Sequence, residues 1–149
     1  MVIGAGMGLR VHYGPNSFKF GPGLLLNAAY FITPRISLSA GIFAGAFMGN
    51  SIMVSLSGSY SFLEGVYRPE VGVSMGLDFG SVVFHTDSGF SYVYPSNPEW
   101  CISLVIRPLL FTINRVRISF LDLSAGTDVL LAGRILLLNV ELLTLGYRW

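Results

Sequence analysis

Residues 69–80 read Pro69-Glu-Val-Gly-Val-Ser-Met-Gly-Leu-Asp-Phe-Gly80, with an apolar side chain at every second position. Val71, Val73, Met75, Leu77 and Phe79 share one face; Glu70, Gly72, Ser74, Gly76, Asp78 and Gly80 share the other. Successive side chains of a strand point to opposite sides of the backbone, so this period of two predicts a β-strand, whereas a helix would mix the two sets.

Working outward, the same device recurs. In 3–13, Ile3, Ala5, Met7, Leu9, Val11 and Tyr13 alternate with Gly4, Gly6, Gly8, Arg10 and His12, up to the turn signal Gly14-Pro15-Asn16-Ser17. Residues 18–31 oppose Phe18, Phe20, Leu24, Leu26, Ala28 and Tyr30 to Lys19, Gly21, Gly23 and Asn27. A third strand is predicted over 36–48, and Gly49-Asn50 then signals a tight hairpin. In 52–62 the apolar set faces away from Ser51, Ser55, Ser57, Ser59 and Ser61. After the opening strand, 85–98 reads as the longest irregular stretch, with Asp87-Ser88-Gly89 and two prolines. Further strands are predicted over 100–111, 116–126 and 133–149. Alternation slips phase near Phe120-Leu121 and again between Glu141 and Thr144, as a β-bulge would cause.

Eight strands joined in order by short turns predict an all-β, up-and-down antiparallel meander. Eight also suffices to close the sheet into a small barrel, which abolishes its edges. The expectation is therefore a single β-barrel domain over residues 1–149.

Composition narrows the class. Of 149 residues 52% are hydrophobic and only 11% charged, against about 25% charged in a soluble domain. Nine basic and eight acidic residues without like-charge runs leave no footprint for nucleic acid. Cys101, the single cysteine, has no internal disulfide partner and no metal-type spacing around it. The first ten residues lack the basic and apolar regions of a secretory signal, which reads as a mature or trimmed chain. No run of about 20 apolar residues offers a transmembrane helix.

Alternation leaves open which face is inside. A soluble lipocalin-like barrel would enclose the bulky apolar face and expose the other. That other face is largely Gly and Ser, a poor solvating surface, and the apolar face carries more large side chains than an eight-stranded interior holds. A membrane barrel accommodates both, because lipid sets no volume limit. Tyr13, Phe18, Tyr30, Tyr60, Phe62, Tyr67, Trp100, Phe111, Tyr147 and Trp149 fall at or near strand ends, as interfacial girdles require.

Thr144-Leu145-Gly146-Tyr147-Arg148-Trp149 resembles the terminal insertion signal of bacterial outer-membrane barrels, with Thr144, Gly146, Tyr147 and Trp149 at the matching positions. Together with the eight strands and the turn Tyr30-Phe31-Ile32-Thr33-Pro34-Arg35, the chain resembles the small eight-stranded barrels of the OmpA-like superfamily. The resemblance implies a Gram-negative-type outer membrane, recognition by the barrel-assembly machinery and both termini in the periplasm. Three of the four expected outer loops are very short, unlike those of barrels with large adhesive surfaces.

On this reading Arg10, His12, Lys19, Glu70, Asp78, Arg107, Arg117, Asp122 and Glu141 face the lumen. Their balanced signs point to a plug of ion pairs rather than a pore, which usually needs about 16 strands. The serines of the third and fourth strands are expected to make room for Phe43 and Phe47, His12 to be a satisfied lumen residue, and Cys101 a small interior or interface residue. One enzymatic constellation competes. His85, Ser88 and Glu99 offer a base, a nucleophile and an orienting acid, and outer-membrane lipid A deacylases are similar barrels with such a triad. Their His-any-Ser-Asn motif is not matched by His85-Thr86-Asp87-Ser88. Nothing calls for a metal, nucleotide or redox cofactor. The expectation is a non-enzymatic outer-membrane protein, structural, anchoring or part of an envelope complex. A lipid A deacylase-like hydrolase and a soluble lipocalin-like binding barrel are the alternatives.

Overall fold

In the computed structural model, the described residues are 1–14, 17–46, 50–85, 91–95, 98–129 and 136–149. They form β1 (Val2–Gly14), β2 (Ser17–Phe31), β3 (Ile36–Ala46), β4 (Asn50–Ser61), β5 (Glu70–His85), β6 (Ser91–Pro95), β7 (Glu99–Arg107), β8 (Leu109–Ile113), β9 (Val116–Asp128) and β10 (Leu136–Arg148).

Every pairing is antiparallel, and β10 pairs with both β9 and β1, so the sheet closes on itself. β7 and β8 both pair with β9 and together make one barrel stave, while among the described residues β6 pairs with the far end of β5 alone. The result is an eight-stave up-and-down barrel.

The pairing register sets its shape. From Val2 it passes through Ala29, Ser39, Ser57, Ser74, Ser103, Gly126 and Leu137 and returns to β1 at His12, ten residues further along. With ~3.3 Å per residue and ~4.7 Å between strands, a stagger of ten over eight staves tilts them by about 40°. A strand the length of β1 or β9, 13 residues, then rises about 33 Å along the barrel axis, enough to cross an apolar band ~25 Å tall.

Three boundaries differ from the sequence expectation. β5 does not stop at Gly80 but runs to His85, where Ser81–His85 pair with Ser91–Pro95. Within the supposed irregular stretch residues 91–95 are therefore a strand, and residues 86–90 and 96–97 are outside the described set. The strand expected over 100–111 is broken at Arg107-Pro108, where proline lacks the amide that a central ladder needs. Beside that break Leu121 of β9 takes a positive φ of 58°, and next to it β10 has an extra residue, Leu142, between the pairs Met7↔Leu143 and Gly8↔Glu141. These are the two phase slips, and they sit side by side on adjacent staves. The β5 stave also continues below Pro69: Arg68 N donates to Leu110 O, Thr112 N to Val66 O, and Tyr67 bridges Phe111. The ends of the strands expected over 36–48 and 133–149 fall at 47–48 and 133–135, outside the described residues.

Candidate functional site

The two faces of the wall have opposite chemistry. Ile3, Met7, Leu24, Leu26, Leu38, Ile42, Val54, Leu56, Val73, Met75, Ile102, Leu104, Leu123 and Leu145 all point outward and are exposed, Leu56 by 65% and Leu24 by 68%. A soluble lipocalin-like barrel needs the reverse arrangement. At the end carrying both termini, Tyr30, Tyr60, Phe62, Tyr67, Tyr147 and Trp149 ring this band, and the pairs Tyr60–Phe62, Tyr67–Phe111 and Tyr147–Trp149 are in ring contact. Tyr13, Phe20, Phe79 and Trp100 are exposed toward the other end.

The rim at the termini end is basic. Arg35, Arg115 and Arg148 are exposed there, with Arg68 half-buried beside them. Arg35 Nε donates to Glu64 at 2.7 Å. The Tyr60 hydroxyl, and then Glu64, raise the pKa of its guanidinium. Arg68 donates to Pro34 O and lies over the Phe31 ring.

Inside, charged side chains form two clusters with a polar waist between them. Toward the termini, Glu70 accepts from Arg117 Nη2 at 2.7 Å and from Arg107 Nη1 at 3.3 Å. Arg107 also reaches Ser59 Oγ at 2.9 Å and Asp122 Oδ2 at 3.3 Å. Ser119 donates to Asp122, Thr144 donates to Glu141 at 3.3 Å, and Arg117 covers the other contact on Phe31.

At the waist the row of serines on neighbouring staves leaves a cavity of about 60 Å³, with Ser39 and Ser57 in hydroxyl contact at 2.7 Å and Asn139 donating to Ser124 at 3.0 Å. That is room for a few waters and far below the ~300–1,000 Å³ of a drug-sized pocket. Phe43 lines the same cavity as these serines, and Gly23 and Gly45 also make room for it: a Cβ on Gly23 would collide with the Phe43 ring, and one on Gly45 would come within 3.0 Å of it. Phe47 lies outside the described residues.

Beyond the waist, Arg10 of β1 grips Asp78 of β5 through Nη2–Oδ2 at 2.9 Å and Nη1–Oδ1 at 3.4 Å, with its guanidinium 5.9 Å from the Phe43 ring centre. His12 stands beside this pair, 3% exposed, and neither ring nitrogen has a hydrogen-bond partner among the described residues. His12 is thus a buried lumen residue whose ring makes no hydrogen bond among the described residues. Its Nδ1 is 3.6 Å from Asp78 Oδ2 and its Nε2 3.8 Å from Glu99 Oε2.

Arg10, Glu70, Asp78, Arg107, Arg117, Asp122 and Glu141 thus face the lumen, in two groups rather than one network; the side chain of Lys19 is outside the described set. Sequence reasoning left out Asp128, buried at 2%, and placed Glu99 only in the hydrolase constellation. Both are in phase with inward residues, Asp128 with Ser124 and Gly126, Glu99 with Cys101 and Ser103. Ser88 and the side chain of His85 are outside the described residues. Thr144 is buried, Gly146 faces the lumen, and Tyr147 and Trp149 lie in the outward aromatic ring.

A closed eight-stave barrel with an apolar exterior and a charged interior is the architecture of small outer-membrane barrels, and comparison with solved structures gives the same answer. Neisserial surface protein A superposes with a TM-score of 0.72 at 12% identity, over 99% of this chain and 96% of that one. Ail, the attachment invasion locus protein of Yersinia pestis, gives 0.63 at 16% identity, over 99% and 97%. The N-terminal β-barrel domain of Pseudomonas aeruginosa OprF gives 0.54 at 12% identity, over 97% and 96%. No protein-family model matches the sequence, and no curated protein does. The chain has the fold of the small eight-stranded outer-membrane barrels.

Proposed function

We propose that the chain is a non-enzymatic integral protein of a Gram-negative-type outer membrane, with its lumen closed by ion pairs. Its part there is structural or anchoring, or that of a subunit in an envelope complex. The observation that carries this reading is the polarity of the wall, whose large apolar side chains point outward from every stave while the buried carboxylates and guanidiniums pair inside. Only a lipid solvent makes that arrangement stable. In water it would expose a continuous apolar belt and bury charge without need.

Two clusters of ion pairs separated by a small cavity support a plug rather than a pore. The segment Thr144–Trp149 supports recognition by the barrel-assembly machinery, and the likeness to outer-membrane barrels supports that localisation, with the termini in the periplasm.

The experiment is to refold the denatured chain into phospholipid vesicles and to fractionate cells expressing it. Membrane insertion gives a heat-modifiable gel band, a protease-resistant core and recovery with outer membranes. A chain that stays monomeric and soluble at high concentration without detergent would overturn the proposal.

A further inference from the structure

We propose that His12 and Glu99 form a site for a divalent transition metal of the Zn²⁺ class at the mouth of the lumen remote from the termini, with Asp78 orienting the imidazole. The starting point is the buried ring of His12, flanked by a carboxylate at each nitrogen and hydrogen-bonded to neither. In a neutral imidazole one nitrogen carries a proton and the other a lone pair. With the proton on Nδ1, toward Asp78, the Nε2 lone pair faces the Glu99 carboxylate. Two electron-rich atoms then confront each other at the lumen mouth, an arrangement that a cation between them resolves.

The separations suit a metal. At 3.8 Å, Nε2 and Glu99 Oε2 are too far apart for a hydrogen bond. They are close to the roughly 3.4 Å between two ligands on a tetrahedral ion with bonds of ~2.0–2.1 Å. One ligand atom from each of His12, Asp78 and Glu99 falls within 4.8 Å of the others. Asp78 is already gripped by Arg10 through both oxygens, which suits it to receive Nδ1–H rather than to ligate. Asp78 stands 3.6 Å from Nδ1, beyond hydrogen-bond distance, on the side where a carboxylate–histidine–metal relay puts the carboxylate that fixes the tautomer and aim of a ligand.

Charge and access agree. Arg10, Asp78, Glu99 and Asp128 are gathered around Cys101 in this region, and Lys19 is opposite His12 in the β1/β2 register. Among the described side chains the carboxylates outnumber the guanidinium three to one. Glu99 is 28% exposed while Asp78 and His12 are almost fully buried, so an ion enters past Glu99 and water completes its coordination. The imidazole selects Zn²⁺ over Mg²⁺ and Ca²⁺, which prefer all-oxygen ligands.

The test is calorimetric titration of the folded barrel in detergent after chelator treatment, with Zn²⁺ alone as probe and Mg²⁺ and Ca²⁺ as separate arms. One Zn²⁺ per chain is expected, with binding lost in His12→Asn and in Glu99→Gln, and weakened about 10–100-fold in Asp78→Asn. Glu99 is partly exposed, so Glu99→Gln reports on the site even if His12→Asn folds poorly, as heat-modifiable migration would reveal. The proposal falls if the parent chain takes up no Zn²⁺, if folded His12→Asn and Glu99→Gln bind as the parent does, or if Mg²⁺ binds as tightly as Zn²⁺.

Discussion

Arg10 on β1 and Asp78 on β5 belong to staves on opposite sides of the eight-stave ring, 68 residues apart in sequence, yet they meet at 2.9 Å across the lumen. A two-pronged contact of this kind ties the barrel across its diameter. Each charge is almost completely buried, at 5% and 2% exposure, so removing one partner strands the other. Arg10→Ala or Asp78→Ala alone is expected to cost about 3–5 kcal/mol, whereas an apolar pair of similar volume at both positions costs much less. Urea unfolding in lipid vesicles, run as a double-mutant cycle, measures the difference.

Glu70 holds two guanidiniums at once, Arg107 and Arg117. Glu70→Gln takes the close counter-charge from Arg117 and leaves Arg107 with Asp122 alone, and unfolding should shift to lower urea by the equivalent of roughly 3–5 kcal/mol. In planar bilayers the parent chain should show no single-channel steps. Regular steps in the parent that change when Glu70 or Arg117 is neutralised would replace the plug with a conducting path.

The outward face responds to charge according to its solvent. Leu56 and Met75 are cross-strand neighbours in the apolar band and more than half exposed. In a bilayer, Leu56→Lys is expected to lower stability by about 2–4 kcal/mol if it lies near the midplane, and less toward the interfaces. On a soluble barrel the same change would leave stability nearly untouched and improve solubility. Reversible folding into vesicles decides between them.

Gly23 admits the Phe43 ring, which lies near the Arg10 guanidinium. Gly23→Val should therefore overpack the lumen and destabilise by about 1–3 kcal/mol. Adding Phe43→Ala should recover part of that loss, because it removes the atoms the new side chain meets. Failure of the second change to help would mean that the damage lies in the backbone and not in this contact.

Tyr147 and Trp149 pack edge to face in the outward aromatic ring. If Thr144–Trp149 is read by the assembly machinery, Trp149→Ala should reduce the yield of folded barrel in cells several-fold while leaving unassisted folding into vesicles close to normal. Equal losses in both assays would assign Trp149 a packing role alone.

Much of the wall was legible because a strand writes its two environments into alternate residues. Val71, Val73 and Met75 against Gly72, Ser74 and Gly76 need no knowledge of any partner. Even the irregularities left a trace, since the phase slips at Leu121 and Leu142 appear in the sequence as two adjacent residues on one face. Glycine, serine and charge on the inner face, with bulk on the outer, likewise determined that this barrel is built for lipid.

What the alternation could not carry is which inward residues meet. Inward phase places Arg10, His12, Glu70 and Asp78 in one lumen, but their partners are set by the ten-residue stagger, which only closure of the sheet defines. That stagger spirals Val2 round to the level of His12 and brings β1 against the far wall at Asp78. It also separates the charges into two clusters with a serine-lined waist between them, and it sets His12 between the carboxylates of Asp78 and Glu99. A period of two is a local property of the backbone. The contacts across the lumen depend on tilt and register summed over all eight staves, and no stretch of sequence contains that sum.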